Sequence, residues 1–421
     1  MGKGTTEADL KSSVTWEGLE PWLREKMREA IQNVLDEEVT ELLGRTKSER
    51  RTGIDAPAGY RNGYGKSRNL TLCSGTVVIR RPRVRGLEER FVSRVLPAFA
   101  RRTQEVGELL PELYLHGLSL GDFDLALRGL LGDEAPLSAA TVNRLKAKWQ
   151  GEYEAWNRRD LGDLEVVYLW IDGVHVKAGL EKDKAALLVA VAGLSDGRKV
   201  ILSVTAGYRE STESWATVLR HLRARGLKEP RLAIGDGNLG AWGAMSNVFP
   251  GTEQQRCWNH RVVNVMDQLP KKQQPVAKPM LQAIAGSGTR EKAEEEKKKF
   301  QAWCTSNGFT RAGSLLDDDW DRMVAYYRFP KEHWKHLRTT NIIESVFAAV
   351  RLRTDAAKRF KKVANATAVI WKTLLVGEQR FRRLDAPDLL KDLYLGAEYT
   401  NGVCSKPPQP AKRTFAKKAR A

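Results

Sequence analysis

The sequence has no apolar run near the ~20 residues that a membrane-spanning helix needs. Its first residues, MGKGTTEADLKSSVTW, lack the apolar core of a signal peptide. Cysteine is scarce: Cys73, Cys257, Cys304 and Cys404 lie far apart in 421 residues, with no disulfide-framework spacing. These absences argue against a membrane protein and against a small stapled secreted fold. The expectation is a reduced, cytoplasmic chain. Acid is also in short supply, with Asp+Glu 52 against Lys+Arg 70 and a formal net charge of +18.

What is present is 42% hydrophobic residues, ample for a large core and for two or three domains. The basic residues are clustered. Between Arg61 and Arg90 stand eight of them (Arg61, Lys66, Arg68, Arg80, Arg81, Arg83, Arg85, Arg90) against Glu88 and Glu89. The tail SKPPQPAKRTFAKKARA carries six more and no acid. Clustered Lys and Arg neutralise phosphates and release counterions, so nucleic acid is the first partner to consider.

Residues Trp16 to Leu43 show helical apolar spacing. The stretch from Gly59 to Gly86, GYRNGYGKSRNLTLCSGTVVIRRPRVRG, is glycine-rich and then β-branched, which predicts a small β-element carrying arginines. A helical block from about Arg102 to Arg158 contains a helix, a turn and a second helix. Ser138 stands where an N-cap belongs, Val142, Leu145 and Trp149 form an apolar stripe, and Asn143, Arg144, Lys146 and Lys148 fall on the polar side. This suits a DNA-binding helix-turn-helix, and a plain helical hairpin fits about as well.

The pattern changes near Leu164. EVVYLWIDGVHVK, KAALLVAVAGLS and RKVILSVTAGY are successive strand-like runs, the last two joined through Asp-Gly, a hairpin signal. A helix follows with Trp215, Val218, Leu219 and Leu222 on one face, then the strand RLAIGDG, a helix, and the strand-like TEQQRCWNH. A long polar helical region comes next, in which Glu294–Lys298 and Glu295–Lys299 have the spacing of i,i+4 pairs. The last helix, TTNIIESVFAAVRLRTDAAKRF, starts near Thr340. Three antiparallel strands, then helix, strand, helix and strand, is the order of a ribonuclease H-like sheet. The predicted fold class is α/β: such a mixed sheet with a helical insertion, after a mainly helical N-terminal DNA-binding region. The expected domains are 1–100 (helical and small β, basic), 101–160 (helix-turn-helix-like), 161–260 (first part of the catalytic domain), 261–335 (helical insertion), 336–385 (glutamate helix) and 386–421 (basic tail).

In this order Asp172 ends one apolar strand, Asp236 ends another, and Glu344 lies on a helix far downstream. If the first and fourth strands are neighbours, the two aspartates come close, and a helix across the sheet brings the glutamate to the same point. Taken singly, an aspartate before glycine is an ordinary turn and a helical glutamate an ordinary solvated residue. Three converging carboxylates repel, and are tolerated mainly when divalent cations sit between them. Two Mg²⁺ ions held this way activate a water or a 3′-hydroxyl and stabilise the leaving oxygen of a phosphodiester.

Here the chain also resembles a known family. GYRNGY, GTVVIRRPRVRG, LWIDGVHVK, AIGDG with VFPGTEQQRCWNH behind it, and TTNIIESVFAAVRLRT follow the order and spacing of the Mutator-type transposases of bacterial insertion sequences. The likeness runs from about Tyr60 to Arg383. It implies a DDE site in a ribonuclease H-like domain, with Asp172, Asp236 and Glu344 as catalytic residues and metal ligands for Mg²⁺, Mn²⁺ substituting. It implies an enzyme that binds terminal inverted repeats, hydrolyses phosphodiester bonds at the element ends and joins the 3′-hydroxyl to target DNA. The partners are then double-stranded DNA, both repeats and target, and a second copy of the chain on paired ends, in the bacterial cytoplasm at the nucleoid. Two departures stand out: GDGNLG, where the family more often has an apolar residue before the aspartate, and Lys361 after Phe360, where proline is frequent.

Cys257-x-x-His260 matches a family motif, and with His333-x-x-His336 it supplies enough side chains for a four-ligand zinc site. Neither pair belongs to a compact ligand framework, so Cys257 and His260 are read as a structural brace. Arg351 shares a helix face with Glu344 and Asn341, where it is placed to position a phosphate. Two other functions are weighed: a DNA-binding protein derived from a transposase that no longer cuts, and a ribonuclease H-like nuclease. Mg²⁺-dependent nicking discriminates the first, and preference for terminal repeats over random duplex the second.

Overall fold

The computed structural model describes residues 15–53, 56–97, 100–118, 120–131, 139–178, 185–207, 211–237 and 239–408. They fall into two compact units, residues 1–114 with 118–145, and residues 115–117 with 146–421.

In the first unit, helix α1 (Leu19–Leu43) stops at Gly44, whose φ of 61° lets its N–H reach back to the Glu41 carbonyl. Strand β1 (Tyr60–Tyr64) pairs antiparallel with β4 (Pro82–Arg85), and β2 (Arg68–Leu72) with β3 (Gly75–Ile79). Along β3, Val77 and Ile79 are buried and Val78 is exposed, the alternation of a strand with one covered face. That face packs with Leu35, Leu70 and Leu96 into a small core. Helices α2 (Gln104–Leu115) and α3 (Leu120–Leu131) follow, and then α4 (Ala139–Asn157), most of which, from Lys146 on, belongs to the second unit. Trp149 of the expected stripe is buried. Residues 132–138, where the turn and the N-cap Ser138 are expected, lie outside the described residues.

The second unit is built on β5 (Val166–Val176), β6 (Ala185–Leu194), β7 (Lys199–Gly207), β8 (Leu232–Gly235) and β9 (Glu253–Arg256), in the spatial order β7-β6-β5-β8-β9. The β5, β6 and β7 pairings are antiparallel, whereas β8 and β9 join in parallel, so the sheet is mixed. Residues Val166 to Ile171 are all buried because both faces are covered. On one face lie α5 (Thr212–Ala224) and α6 (Leu239–Val248), packed on Leu169, Ile171, Leu188 and Ala233. Helix α5 opens with Ser211 accepting from the Ser214 N–H at 3.2 Å, and it buries Trp215, Val218, Leu219 and Leu222 as the 3.6-residue period requires.

On the other face, the Tyr168 ring meets Phe329 and His333, and Trp170 Nε1 donates to the His336 carbonyl at 3.2 Å. These partners belong to a mostly helical segment: α7 (Trp258–Met266), α8 (Gln274–Gly286), α9 (Arg290–Ser306), α10 (Thr310–Ser314), α11 (Trp320–Met323) and α12 (Trp334–Leu337). Along α9 the charges pair as Arg290–Glu294 and Glu296–Lys299, not as Glu294–Lys298 and Glu295–Lys299. Lys297 turns inward instead, to Asp317 at 2.5 Å and over the Trp320 ring. The chain closes with α13 (Asn341–Ala357), α14 (Val363–Glu378), α15 (Pro387–Tyr394) and the hairpin β10 (Glu398–Thr400) with β11 (Val403–Lys406). Among the described residues, no helix is long and apolar enough to cross a membrane.

Candidate active site

Asp172 does not end its strand. Strand β5 runs on to Val176, still paired with β6 as far as Ala185. What ends beside Asp172 is the parallel neighbour: the last β5–β8 pair is Trp170 with Ile234, and β8 stops at Gly235. Asp172 is therefore half-buried where the residues before it are sealed. Side chains alternate along a strand, so Asp172 shares the face of Trp170, away from α5 and α6. Asp236 stands two residues beyond Ile234, as Asp172 stands two beyond Trp170. The last parallel pair thus stands two residues before each aspartate, with Asp172 inside β5 and Asp236 just past β8.

Glu344 lies in the first turn of α13. Two contacts fix that helix, one just beyond its last residue and one at its N-cap. Phe360, just beyond α13, donates its N–H to the Lys177 carbonyl at 2.9 Å, tying the helix to the far end of β5. Cys257 joins three elements: its N–H donates to the Gly235 carbonyl at 2.8 Å, it sits at the N-cap of α7, and its sulfur accepts from the Thr340 N–H at 3.3 Å. His260, one turn into α7, brings Nδ1 to 3.8 Å from Glu344 Oε1. Thr340 Oγ1 contacts Cys257 Sγ at 3.2 Å, His260 Nδ1 at 3.5 Å, and Glu344 Oε1. Asn259 donates to Asn341 Oδ1 at 3.0 Å across the same junction.

The electrostatics follow from this packing. The hydrogen bond with Cys257 raises the His260 imidazole to about 9, against the opposing effect of burial, and the charges of Cys257, Glu344 and Asp172 add to the rise. Burial alone would raise the Cys257 thiol, yet hydrogen bonds from His260 and Thr340 outweigh it and hold the thiol below its ordinary value. Cys257 and His260 were expected to brace the helical segment against the sheet. Cys257 bonds the start of α7 to the end of β8, and His260 faces Glu344. Among the described residues, the potential ligand atoms that gather within 4.8 Å of one another belong to Cys257, His260 and Glu344, not to the three carboxylates. Asp172 Oδ1 accepts the Gly173 N–H at 2.8 Å, and Glu344 Oε1 accepts from the Thr340 hydroxyl. His333 and His336 are engaged elsewhere: His333 with Tyr168 OH at 2.7 Å and the Ala386 carbonyl at 3.2 Å, His336 with Asp385.

A second cluster went unseen in the sequence. Buried Asp319, before α11, binds Arg256 of β9, Arg261 of α7 at 2.8 Å and Arg322 of α11 at 2.8 Å. Arg256 lies against Gly237, the residue after Asp236, whose φ is +105°.

Of the expected DNA contacts, Lys66, Arg80, Arg83, Arg85, Asn143, Arg144, Lys148 and Arg351 are exposed, while Arg81 and Lys146 are half-buried. Arg80 Nε donates to Ser67 Oγ at 3.2 Å, and Lys148 lies 3.7 Å from Glu152. Arg61 works inside its own unit, donating to Thr40 Oγ1 at 2.7 Å and the Arg45 carbonyl at 3.3 Å.

A family model described as "Transposase, Mutator family" matches residues 3–380. The chain is 44% identical over 297 residues to the transposase for insertion sequence element IS6120 of Mycolicibacterium smegmatis, covering 70% of this chain and 92% of that one. It is 39% identical over 280 residues to the transposase for IST2 of Acidithiobacillus ferrooxidans, covering 66% and 94%. The transposase for ISRM5 of Rhizobium meliloti is 30% identical over 354 residues, covering 83% and 85%.

Proposed function

The chain belongs to the Mutator family of transposases, and from that premise we propose that it is a DDE enzyme cutting the ends of an insertion sequence and joining them to new DNA. In this reading the mixed sheet is ribonuclease H-like, and Asp172, Asp236 and Glu344 are its catalytic carboxylates. The observation that supports it is the parallel register of β5 and β8, whose last pair, Trp170 with Ile234, stands two residues before each aspartate. Glu344 supports it: its charge and that of Asp172 both act on His260.

The residues fit divalent magnesium. All three offer hard carboxylate oxygens, and each is half-buried, open enough to keep water in a coordination shell. Asp172, Asp236 and Glu344 would hold the ions, which when bound supply an activated water or 3′-hydroxyl and stabilise the departing oxygen. Arg351, exposed two turns beyond Glu344 on α13, positions a backbone phosphate. Lys66, Arg80, Arg83 and Arg85 hold the duplex through its phosphates without reading sequence. Two copies on paired ends are the least assembly that strand transfer needs.

The test is cleavage of a labelled terminal-repeat duplex in Mg²⁺ or Mn²⁺. Asp172→Asn, Asp236→Asn and Glu344→Gln should each bind DNA and fold normally, yet lose cleavage and joining by orders of magnitude. Their effects should not add, because the three act as one unit. Glu295→Gln, on the exposed side of α9, is the control and stays active. Near-normal cleavage by any member of the trio removes it from the site. Nicking that shows no preference for the repeats favours the nuclease reading.

A further inference from the structure

Thr340 stands at the N-cap of α13 but does not cap it. Its side chain is fully buried, and its single hydroxyl oxygen touches Cys257, His260 and Glu344 together. We infer that Thr340 is a positioning residue that holds the Glu344 carboxylate in the orientation the reaction needs, with Cys257 and His260 fixing Thr340 in turn. The inference rests on the reading of Glu344 as a catalytic ligand.

The proton count supports it. A hydroxyl has one proton, to be given to the sulfur or to the carboxylate. The Cys257 sulfur already accepts the Thr340 N–H at 3.3 Å. The carboxylate is the stronger acceptor, so the hydroxyl proton goes to Glu344 Oε1. Geometry agrees, because Thr340 and Glu344 are four residues apart and share one helix face. A half-exposed glutamate otherwise samples several rotamers, and ordering it costs side-chain entropy. A β-branched donor with a stiff χ1, itself locked by burial, removes that freedom before any ligand arrives. Cys257 joins the network to the end of β8 through the Gly235 carbonyl, so the orientation of Glu344 is referenced to the strand that leads into Asp236.

The experiment compares Thr340→Val, which keeps the shape and removes the hydroxyl, with Thr340→Ser, which keeps the hydroxyl. Both are made in the full chain, with and without Glu344→Gln, and Mn²⁺ binding is followed by electron paramagnetic resonance alongside strand cleavage. Thr340→Val should weaken Mn²⁺ binding by about tenfold or more, the usual effect of losing a group that orients a ligand. Thr340→Ser should restore most of it. In the Glu344→Gln background, Thr340→Val should add nothing, because it acts through that carboxylate. If Thr340→Val does not fold, Thr340→Ala makes the same comparison. Equal weakening in both backgrounds would mark Thr340 as merely structural and overturn the inference. So would cobalt(II) binding with a sulfur charge-transfer band lost in Cys257→Ser, since the cluster would then be a ligand set itself. An active Glu344→Gln would instead overturn the reading of Glu344, a distinct result.

Discussion

A methyl group at position 237 would lie 2.2 Å from Arg256 Nε, and a φ of +105° is one that residues with a side chain rarely adopt. Both conditions demand glycine directly after Asp236. Gly237→Ala should therefore cost about 1–3 kcal/mol for the backbone alone, and should push Arg256 away from Asp319. The expected outcome is a lower melting temperature together with cleavage reduced far more than DNA binding, since the carboxylate of Asp236 moves with its loop. Relieving the clash by Arg256→Ala should not rescue Gly237→Ala, because the dihedral strain remains. An unchanged melting temperature would show that the loop adopts another conformation in solution. At this scale the sequence was legible where chemistry was out of place, as with Asp172 inside an apolar run. It was silent on Thr340, because a threonine ahead of a helix is the ordinary signal of an N-cap. Its true partners come from Cys257 and His260, about eighty positions away, and only packing brings them together.

Asp319 joins three elements that periodicity alone keeps separate. Its one carboxylate binds arginines from β9, α7 and α11, two of them almost wholly buried with it. Removing one member of a buried charge network leaves the others without compensation, which typically costs about 3–5 kcal/mol. Asp319→Ala should lower the denaturation midpoint accordingly, and Asp319→Asn, which keeps acceptor geometry but not the charge, should fall between it and the parent. A loss below about 1 kcal/mol would mean that water reaches the guanidinium groups. Most elements were legible because their periods are strong: the three antiparallel strands, α5 with its buried Trp215, Val218, Leu219 and Leu222, and α13 from near Thr340. What local pattern does not carry is where a partner strand stops. Strand β5 reads as ending at Asp172 because apolar residues give way there, whereas the antiparallel ladder with β6 continues to Val176. Nor does spacing alone decide which charges pair on α9: Glu294 takes Arg290 rather than Lys298, and Lys299 takes Glu296 rather than Glu295.

At the scale of the whole molecule, a formal net charge of +18 sets the long-range behaviour toward a polyanion. Attraction of this kind is mostly counterion release, so the full chain should bind terminal-repeat duplex with an affinity that falls linearly in log–log form as salt rises. In the proposed reading, the exposed arginines of the β-ribbon in the first unit contribute to that attraction. Arg83 and Arg85 are both exposed on β4, and alternation along a strand points them to the same side. If each meets one phosphate, Arg83→Ala with Arg85→Ala should reduce the slope of log affinity against log salt by roughly 1.8, from about 0.9 per phosphate. Affinity should fall for repeat and unrelated duplex alike, leaving their ratio unchanged, because phosphate contacts position the duplex without specifying sequence. Asp172→Asn makes the opposite comparison, losing cleavage while keeping the parent slope. Fluorescence anisotropy at several salt concentrations measures both quantities at once. A slope equal to that of the parent would move the phosphate contacts off the ribbon, and a selective loss of repeat binding would make these arginines readers of base edges.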